Sequence, residues 1–187
     1  MKRLFLSGPS GCGKTTMIRN ALGQRRTLAA GFMTERQLTD TGKIHSFLLG
    51  TAGGTDFRTF LDFSNGTPVI FREVFEDAAV LLNDAQNAPF ALLDEIGGVE
   101  LMLPAFREAL LAFLTSDTPC IGVLKGPGNG RAMARVLGLP NGYLEEAARL
   151  KAFLAQQEDT QILEITGWQD EKALSTVKKW VEEYAHD

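Results

Sequence analysis

The sequence predicts an α/β fold, a mostly parallel sheet with helices on both faces. Three observations predict it. Apolar runs that suit strands alternate with amphipathic stretches that suit helices almost from end to end. Two of those runs, PFALLD at 89–94 and PCIGVL at 119–124, are apolar on both faces, as strands inside a covered parallel sheet are. The first run, Leu4-Phe5-Leu6, passes through the glycine-rich GPSGCGKTT of residues 8–16 straight into a helical pattern. With 187 residues the chain has the size of one ordinary α/β domain, expected to span 1–187.

Composition narrows the class. Hydrophobic residues make up 44% and charged residues 22%, which suits a packed core rather than disorder. A net charge of −4 argues against a protein that coats nucleic acid. No apolar stretch approaches membrane-spanning length, and the N-terminus lacks the long apolar segment of a signal peptide. Cys12 and Cys120 lie far apart without C-x-x-C spacing. They read as reduced thiols, so a cytoplasmic location is expected.

The elements follow in order. Residues 2–7 are a short strand, and 14–23 a helix with Met17, Ile18, Ala21 and Leu22 on one face. Residues 28–36 and 43–50 are extended and joined by the turn composition Thr39-Asp40-Thr41-Gly42. This gives a β-hairpin near residues 28–50, expected as an insertion or edge feature. Gly50 to Gly66 reads as irregular loop, and Thr67–Arg72 as a strand with Pro68 near its start. Phe75, Ala78, Ala79 and Leu82 mark a helix before the strand at 89–94. Phe106, Leu110, Phe113 and Leu114 mark the next helix, before the strand at 119–124. A loop from Lys125 to Gly130 leads on to a helix with Tyr143, Ala147, Leu150 and Leu154. Gln161–Ile165 is a last strand, and Leu174, Val177, Val181 and Tyr184 belong to a last helix.

The glycine-rich stretch Gly8-Pro9-Ser10-Gly11-Cys12-Gly13-Lys14-Thr15 fits G-x-x-x-x-G-K-[ST], the phosphate-binding loop, in the strand–loop–helix setting the motif requires. Each residue type has a physical task. Glycines let successive backbone N–H groups converge on phosphate oxygens with no β-carbon in the way. The following helix turns its positive end toward the same anion. Lys14 is a point charge for the β and γ phosphates, and the Thr15 hydroxyl suits Mg²⁺. Thr16 stands where it can contact the α phosphate. Cys12 fills a free position as a small residue that fits.

A triphosphate site also needs an acid for its cation. PFALLD delivers Asp94 at the C-terminal end of its strand, where open α/β sheets place their ligands. Asp94 is therefore expected to share the metal with Thr15, directly or through water. Glu95 follows at once, the usual place for a group that orients and deprotonates attacking water. Lys14 and Glu95 are thus the expected catalytic side chains, and hydrolysis the expected outcome.

The chain resembles the small P-loop nucleoside-triphosphatases typified by the cancer-related nucleoside-triphosphatase. The resemblance rests on GPSGCGKTT, on GFMTERQLTDTGKIHSF at residues 31–47 and on DEIGGVEL at 94–101, so it touches the first two thirds of the chain. Gly31, Thr34, Glu35 and Lys43 stand at the places of the family's middle motif. The acid motif keeps Gly97 and Glu100 but has Gly98 where the family carries a lysine. The resemblance implies a three-layer P-loop fold with a RecA-like sheet, and Mg²⁺-dependent hydrolysis of ATP, GTP and other nucleoside triphosphates.

Other residues have more than one reading. Lys125 follows a buried strand and precedes Gly-Pro-Gly-Asn-Gly. It reads as a γ-phosphate sensor, a cover for the base, or an exposed loop lysine. Arg131 and Arg135, four apart, share a helix face and read as an internal arginine finger or as solvated surface charge. Glu35 and Glu100 are expected to act through other groups rather than on substrate. Trp168 reads as a base-stacking ring or as a partly buried aromatic at a strand end. His45 and His186 lack metal-ligand spacing. Two rival functions stay open: a small kinase moving the γ phosphate to an acceptor, and a nucleotide-dependent switch with 50–66 as its responsive segment. The expected partner is the nucleoside triphosphate itself; nucleic acid and membrane are not expected, and no protein partner is indicated.

Overall fold

The computed structural model describes residues 1–140 and 142–186. They form one eight-stranded sheet in the order β5-β4-β3-β2-β6-β7-β1-β8. Strands β1 (Arg3–Ser7), β2 (Ala30–Leu38), β6 (Ala91–Ile96), β7 (Cys120–Leu124) and β8 (Thr160–Glu164) pair in parallel. From β2 outward the pairing turns antiparallel through β3 (Ile44–Thr51), β4 (Arg58–Asp62) and β5 (Val69–Ile70). The strand that feeds the P-loop is thus separated from the strand bearing Asp94 by β7, and all parallel strands end at the same edge.

Side-chain alternation makes the three layers. Phe5 and Leu93 point to the face covered by α2 (Arg72–Ala85), α3 (Pro104–Leu114), α4 (Pro127–Leu137) and α5 (Gly142–Gln156). Leu4, Leu6, Leu92, Ile121 and Val123 point to the face covered by α1 (Lys14–Leu22) and α6 (Glu171–Tyr184). Burying each such side chain stabilises the fold by about 1.5–3 kcal/mol. Local chemistry sets the helix ends. Pro104 and Pro127 open α3 and α4 at a position where no backbone N–H is required. Asp170 caps α6 by accepting the Ala173 N–H at 3.0 Å. None of the described helices is long and apolar enough to cross a membrane.

Four expectations are corrected. The hairpin is no insertion: Ala30, Gly31 and Phe32 of its first strand pair in parallel with Ala91, Leu92 and Leu93, inside the sheet. Gly31 makes that approach possible, because a β-carbon there would stand 2.5 Å from the Leu92 carbonyl oxygen. The expected loop at 50–66 holds strand β4, whose Phe60 and Leu61 are buried, after a tight turn in which Thr51 N–H donates to the Thr55 carbonyl at 3.1 Å. The strand expected at Thr67–Arg72 shrinks to Val69–Ile70, and α2 already begins at Arg72. The glycine-rich stretch after Lys125 is mostly helix: α4 starts at Pro127 and runs through Gly128 and Gly130.

Candidate active site

At the C-terminal edge of β1 the chain folds into a cradle. A β-carbon on Gly8 would run into the Ile165 carbonyl, and one on Gly13 would come within 2.7 Å of Trp168 Cβ. Gly11 and Gly13 adopt left-handed backbone, with φ of 78° and 94°. Gly13 caps α1, and its carbonyl accepts the Met17 N–H at 2.8 Å. The amides that open α1 have no partner earlier in the helix and remain donors for a ligand. Lys14 is not the surface charge its place in a loop suggests. It is 6% exposed, and its Nζ donates to the carbonyls of Gly8 at 2.9 Å and Pro9 at 2.7 Å. The Cys12 sulfur lies 3.7 Å from the same Nζ.

The acids stand opposite. Asp94 is 2% exposed and accepts the Thr15 hydroxyl at 2.8 Å, the Thr34 hydroxyl at 3.1 Å and the Thr34 amide at 3.2 Å. Burial, reinforced by the neighbouring Glu95, pushes its carboxyl up to about 6 despite these donors. All the partners are hydroxyl or amide groups and none is a cation. A buried carboxylate so placed fits a metal ion. By donating its proton to Asp94, Thr15 keeps its oxygen lone pairs for a cation, so the two supply the hard oxygen set that Mg²⁺ prefers.

Glu95 departs from strand geometry. The β6–β7 register breaks between Leu93 and Ile96, and Glu95 has a left-handed φ of 61°. This takes the two neighbouring carboxylates to different partners. Glu95 Oε1 accepts Arg36 Nη2 at 2.8 Å, and Oε2 lies 3.9 Å from Lys125 Nζ. Burial raises the Glu95 carboxyl, but the pull of Lys125 and Arg36 outweighs it and holds the group below the usual carboxylate range. Arg36 also donates to Ser10 Oγ at 2.9 Å and lies over the Phe47 ring, 5.7 Å from its centroid.

The structure therefore gathers Gly11, Gly13, Lys14, Thr15, Thr16 and Glu95 around one pocket of about 350 Å³, with Arg19, Thr34, Glu35 and Arg36 on its walls. Gly8, Pro9 and Cys12 lie beneath it as the loop's own support. Lys125 reaches Glu95 from behind. Arg131 does not join them: it lines a groove between α4 and α5. Glu35 pairs with Arg19 at 3.7 Å, and buried Glu100 accepts the Gly98 amide at 2.6 Å. Trp168 is 65% exposed, not partly buried, and its base packs on Gly13. At Gly98, where the resemblance expects a lysine, a β-carbon would meet Lys125 Nζ at 2.5 Å and Glu100 Oε2 at 2.6 Å. A cation does occupy that space, delivered from β7 rather than from position 98. Arg36 is the residue that reading the sequence misses. Its signal is the strand period of two, which sets it on the same side of β2 as Thr34.

Comparison with known proteins gives the family and the fold. A family model described as NTPase matches residues 3–137, well over half of the chain. The nucleoside-triphosphatase THEP1 of Metallosphaera sedula is 28% identical over 124 residues, covering 64% of this chain and 68% of that protein. Its namesake from Saccharolobus solfataricus is 26% identical over 132 residues, covering 65% and 75%. The crystal structure of THEP1 from the hyperthermophile Aquifex aeolicus superposes with a TM-score of 0.65 at 17% identity, over 96% of this chain and 99% of that one. At that identity the likeness speaks for the fold.

Proposed function

Because the chain belongs to the NTPase family, the small P-loop nucleoside-triphosphatases that hydrolyse nucleoside triphosphates, we propose that it does so with Mg²⁺, on ATP, GTP and other nucleoside triphosphates alike, releasing nucleoside diphosphate and phosphate. In this reading the amides of the loop and of the start of α1 hold the β and γ phosphates. Lys14 exchanges its two carbonyl partners for phosphate oxygens, and Thr16 reaches the α phosphate. Thr15 and Asp94 hold the metal, which neutralises charge on the phosphates when bound. Exposed Trp168, next to Gly13, offers a flat face to the base. A ring face stacks without choosing among bases, which supports breadth of substrate. Arg36, rather than Arg131, is the arginine near the γ phosphate: it lines the same pocket as Lys14 and is bonded to Glu95 and Ser10, whereas Arg19, on the same walls, pairs with Glu35.

The observation that carries the reading is Glu95: an ionised carboxylate held by Arg36 and Lys125 on the wall of the phosphate pocket. A carboxylate kept ionised is a weak base but a firm hydrogen-bond acceptor. It aligns water and takes the proton late, which suffices for a loose phosphoryl-transfer transition state. The test pairs ATP–Mg²⁺ binding with phosphate release for Glu95→Gln. Binding is expected to hold while turnover falls by about 10²–10⁴-fold. Turnover within about threefold of the parent makes Glu95 structural and ends this reading.

A further inference from the structure

Glu95 and Arg36 border two pockets, not one. On the side away from Thr15 and Thr16 lies a second pocket of about 320 Å³. Small-molecule sites run from about 300 to 1,000 Å³ and are apolar with a few convergent polar groups. This one fits that description. Its walls are Ile44 and Phe47 of β3, Phe63 after β4, and Met133 and Val136 of α4, none of which the phosphate site uses. Ile44 and Val136 are left 41% and 55% exposed. Four polar groups line it: Arg36 and Glu95, which the two pockets share, with Ser10 bonded to Arg36 and Lys125 paired with Glu95. Glu95 sits at that junction on strained left-handed backbone, and such strain in a non-glycine residue clusters at functional positions. Water needs no apolar vestibule to reach a phosphate. An organic acceptor does.

We propose that this pocket holds a small aromatic or heteroaromatic alcohol, whose ring lies among Ile44, Phe47, Phe63 and Met133 while its hydroxyl reaches Glu95, and that the enzyme transfers the γ-phosphoryl group to that hydroxyl. The hydroxyl oxygen forms a bond to the γ phosphorus as the bond from that phosphorus to the β,γ-bridging oxygen breaks. The bridging electron pair leaves on the nucleoside diphosphate, the hydroxyl proton passes to the Glu95 carboxylate, and a phosphate monoester is released. The proposal rests on the hydrolytic reading of the phosphate site: water is the acceptor when the apolar pocket is empty.

The experiment incubates γ-labelled ATP and Mg²⁺ with tryptophol, 2-phenylethanol, pyridoxine or the four ribonucleosides at millimolar concentration, then separates labelled monoester from free phosphate. Ala132→Trp, on the exposed face of α4 that lines the pocket, and Val136→Lys at its mouth are run beside the parent. Neither residue lines the phosphate pocket. The parent is expected to form monoester with at least one ring-bearing alcohol. Both variants should lose about tenfold or more of that transfer while phosphate release without alcohol stays within about threefold. Label that appears only as free phosphate with every alcohol overturns the proposal and leaves the hydrolase standing. Monoester formed equally by both variants overturns the assignment to this pocket. No label released in either form sinks the hydrolytic reading and the proposal together.

Discussion

The pocket around Lys14 takes its walls from the glycine-rich loop and from the hard oxygens of Thr15, Thr16 and Thr34, with Asp94 buried behind Thr15 and Thr34, whereas the pocket around Phe47 takes its walls from apolar side chains of β3, of the segment after β4 and of α4. The first is built from groups that suit phosphate oxygens and a cation. The second is built from shape. Main-chain recognition constrains the sequence tightly, since only glycine fits at Gly8 and Gly13. Side-chain walls constrain it loosely, since many apolar residues of similar volume fill a wall. One region is therefore held closely in sequence, and the other is free to vary.

The hardest blow to this contrast comes from Lys14→Ala. Both fates of the γ phosphate depend on one cradle, so hydrolysis and transfer should fall together, with kcat/KM down by about 10²–10³. Lys14 also ties down the carbonyls of Gly8 and Pro9, so the loop loosens while the sheet stays folded, which a thermal melt checks. ATP bound as tightly as by the parent would mean that the triphosphate sits elsewhere. A milder cut is Asp94→Asn. It removes the charge behind Thr15 and should raise the Mg²⁺ concentration for half-maximal phosphate release by about 10–100-fold. An unmoved Mg²⁺ titration would detach Asp94 from the metal. Smallest is the choice of base. ATP and GTP should turn over within about tenfold of each other, roughly 1.4 kcal/mol. Trp168→Ala should weaken both by similar factors, measured as KM. A preference of about 1,000-fold would demand hydrogen bonds dedicated to one base and would erase the contrast, because the first pocket would then be selective too.

The same contrast explains what reading the sequence reaches. Gly8 to Thr15 is legible because strand, loop and helix are consecutive and each residue type has a backbone reason. Asp94 and Glu95 are legible because an apolar run delivers them to a sheet edge. Arg36 is not, since its partners Ser10, Phe47 and Glu95 come together only through pairing that no local pattern reveals. Strand β4 hides because its buried pair, Phe60 and Leu61, is adjacent rather than alternating and is flanked by turn residues. The start of α4 hides because Gly128 and Gly130 read as loop, while the signal that decides, Pro127 at a helix start, is ambiguous by itself. Lys125 is legible as a residue near the site, but its role as the cation that fills the space beside Gly98 depends on distances across β6 and β7.

Strand β2 belongs to both halves of the sheet, parallel to β6 through Phe32 and antiparallel to β3 from Phe32 onward. Thr34 and Arg36 project from it two residues apart, one holding Asp94 and the other holding Glu95. This gives the protein an uneven tolerance of insertions. The Thr39–Gly42 tip can lengthen or shorten without reaching either acid. A single residue added between Thr34 and Arg36 would turn the arginine to the opposite face, because side chains alternate strictly along a strand. Descendants of this chain are thus free to remodel the hairpin's far end, while the five residues from Phe32 to Arg36 must be inherited in length as a unit.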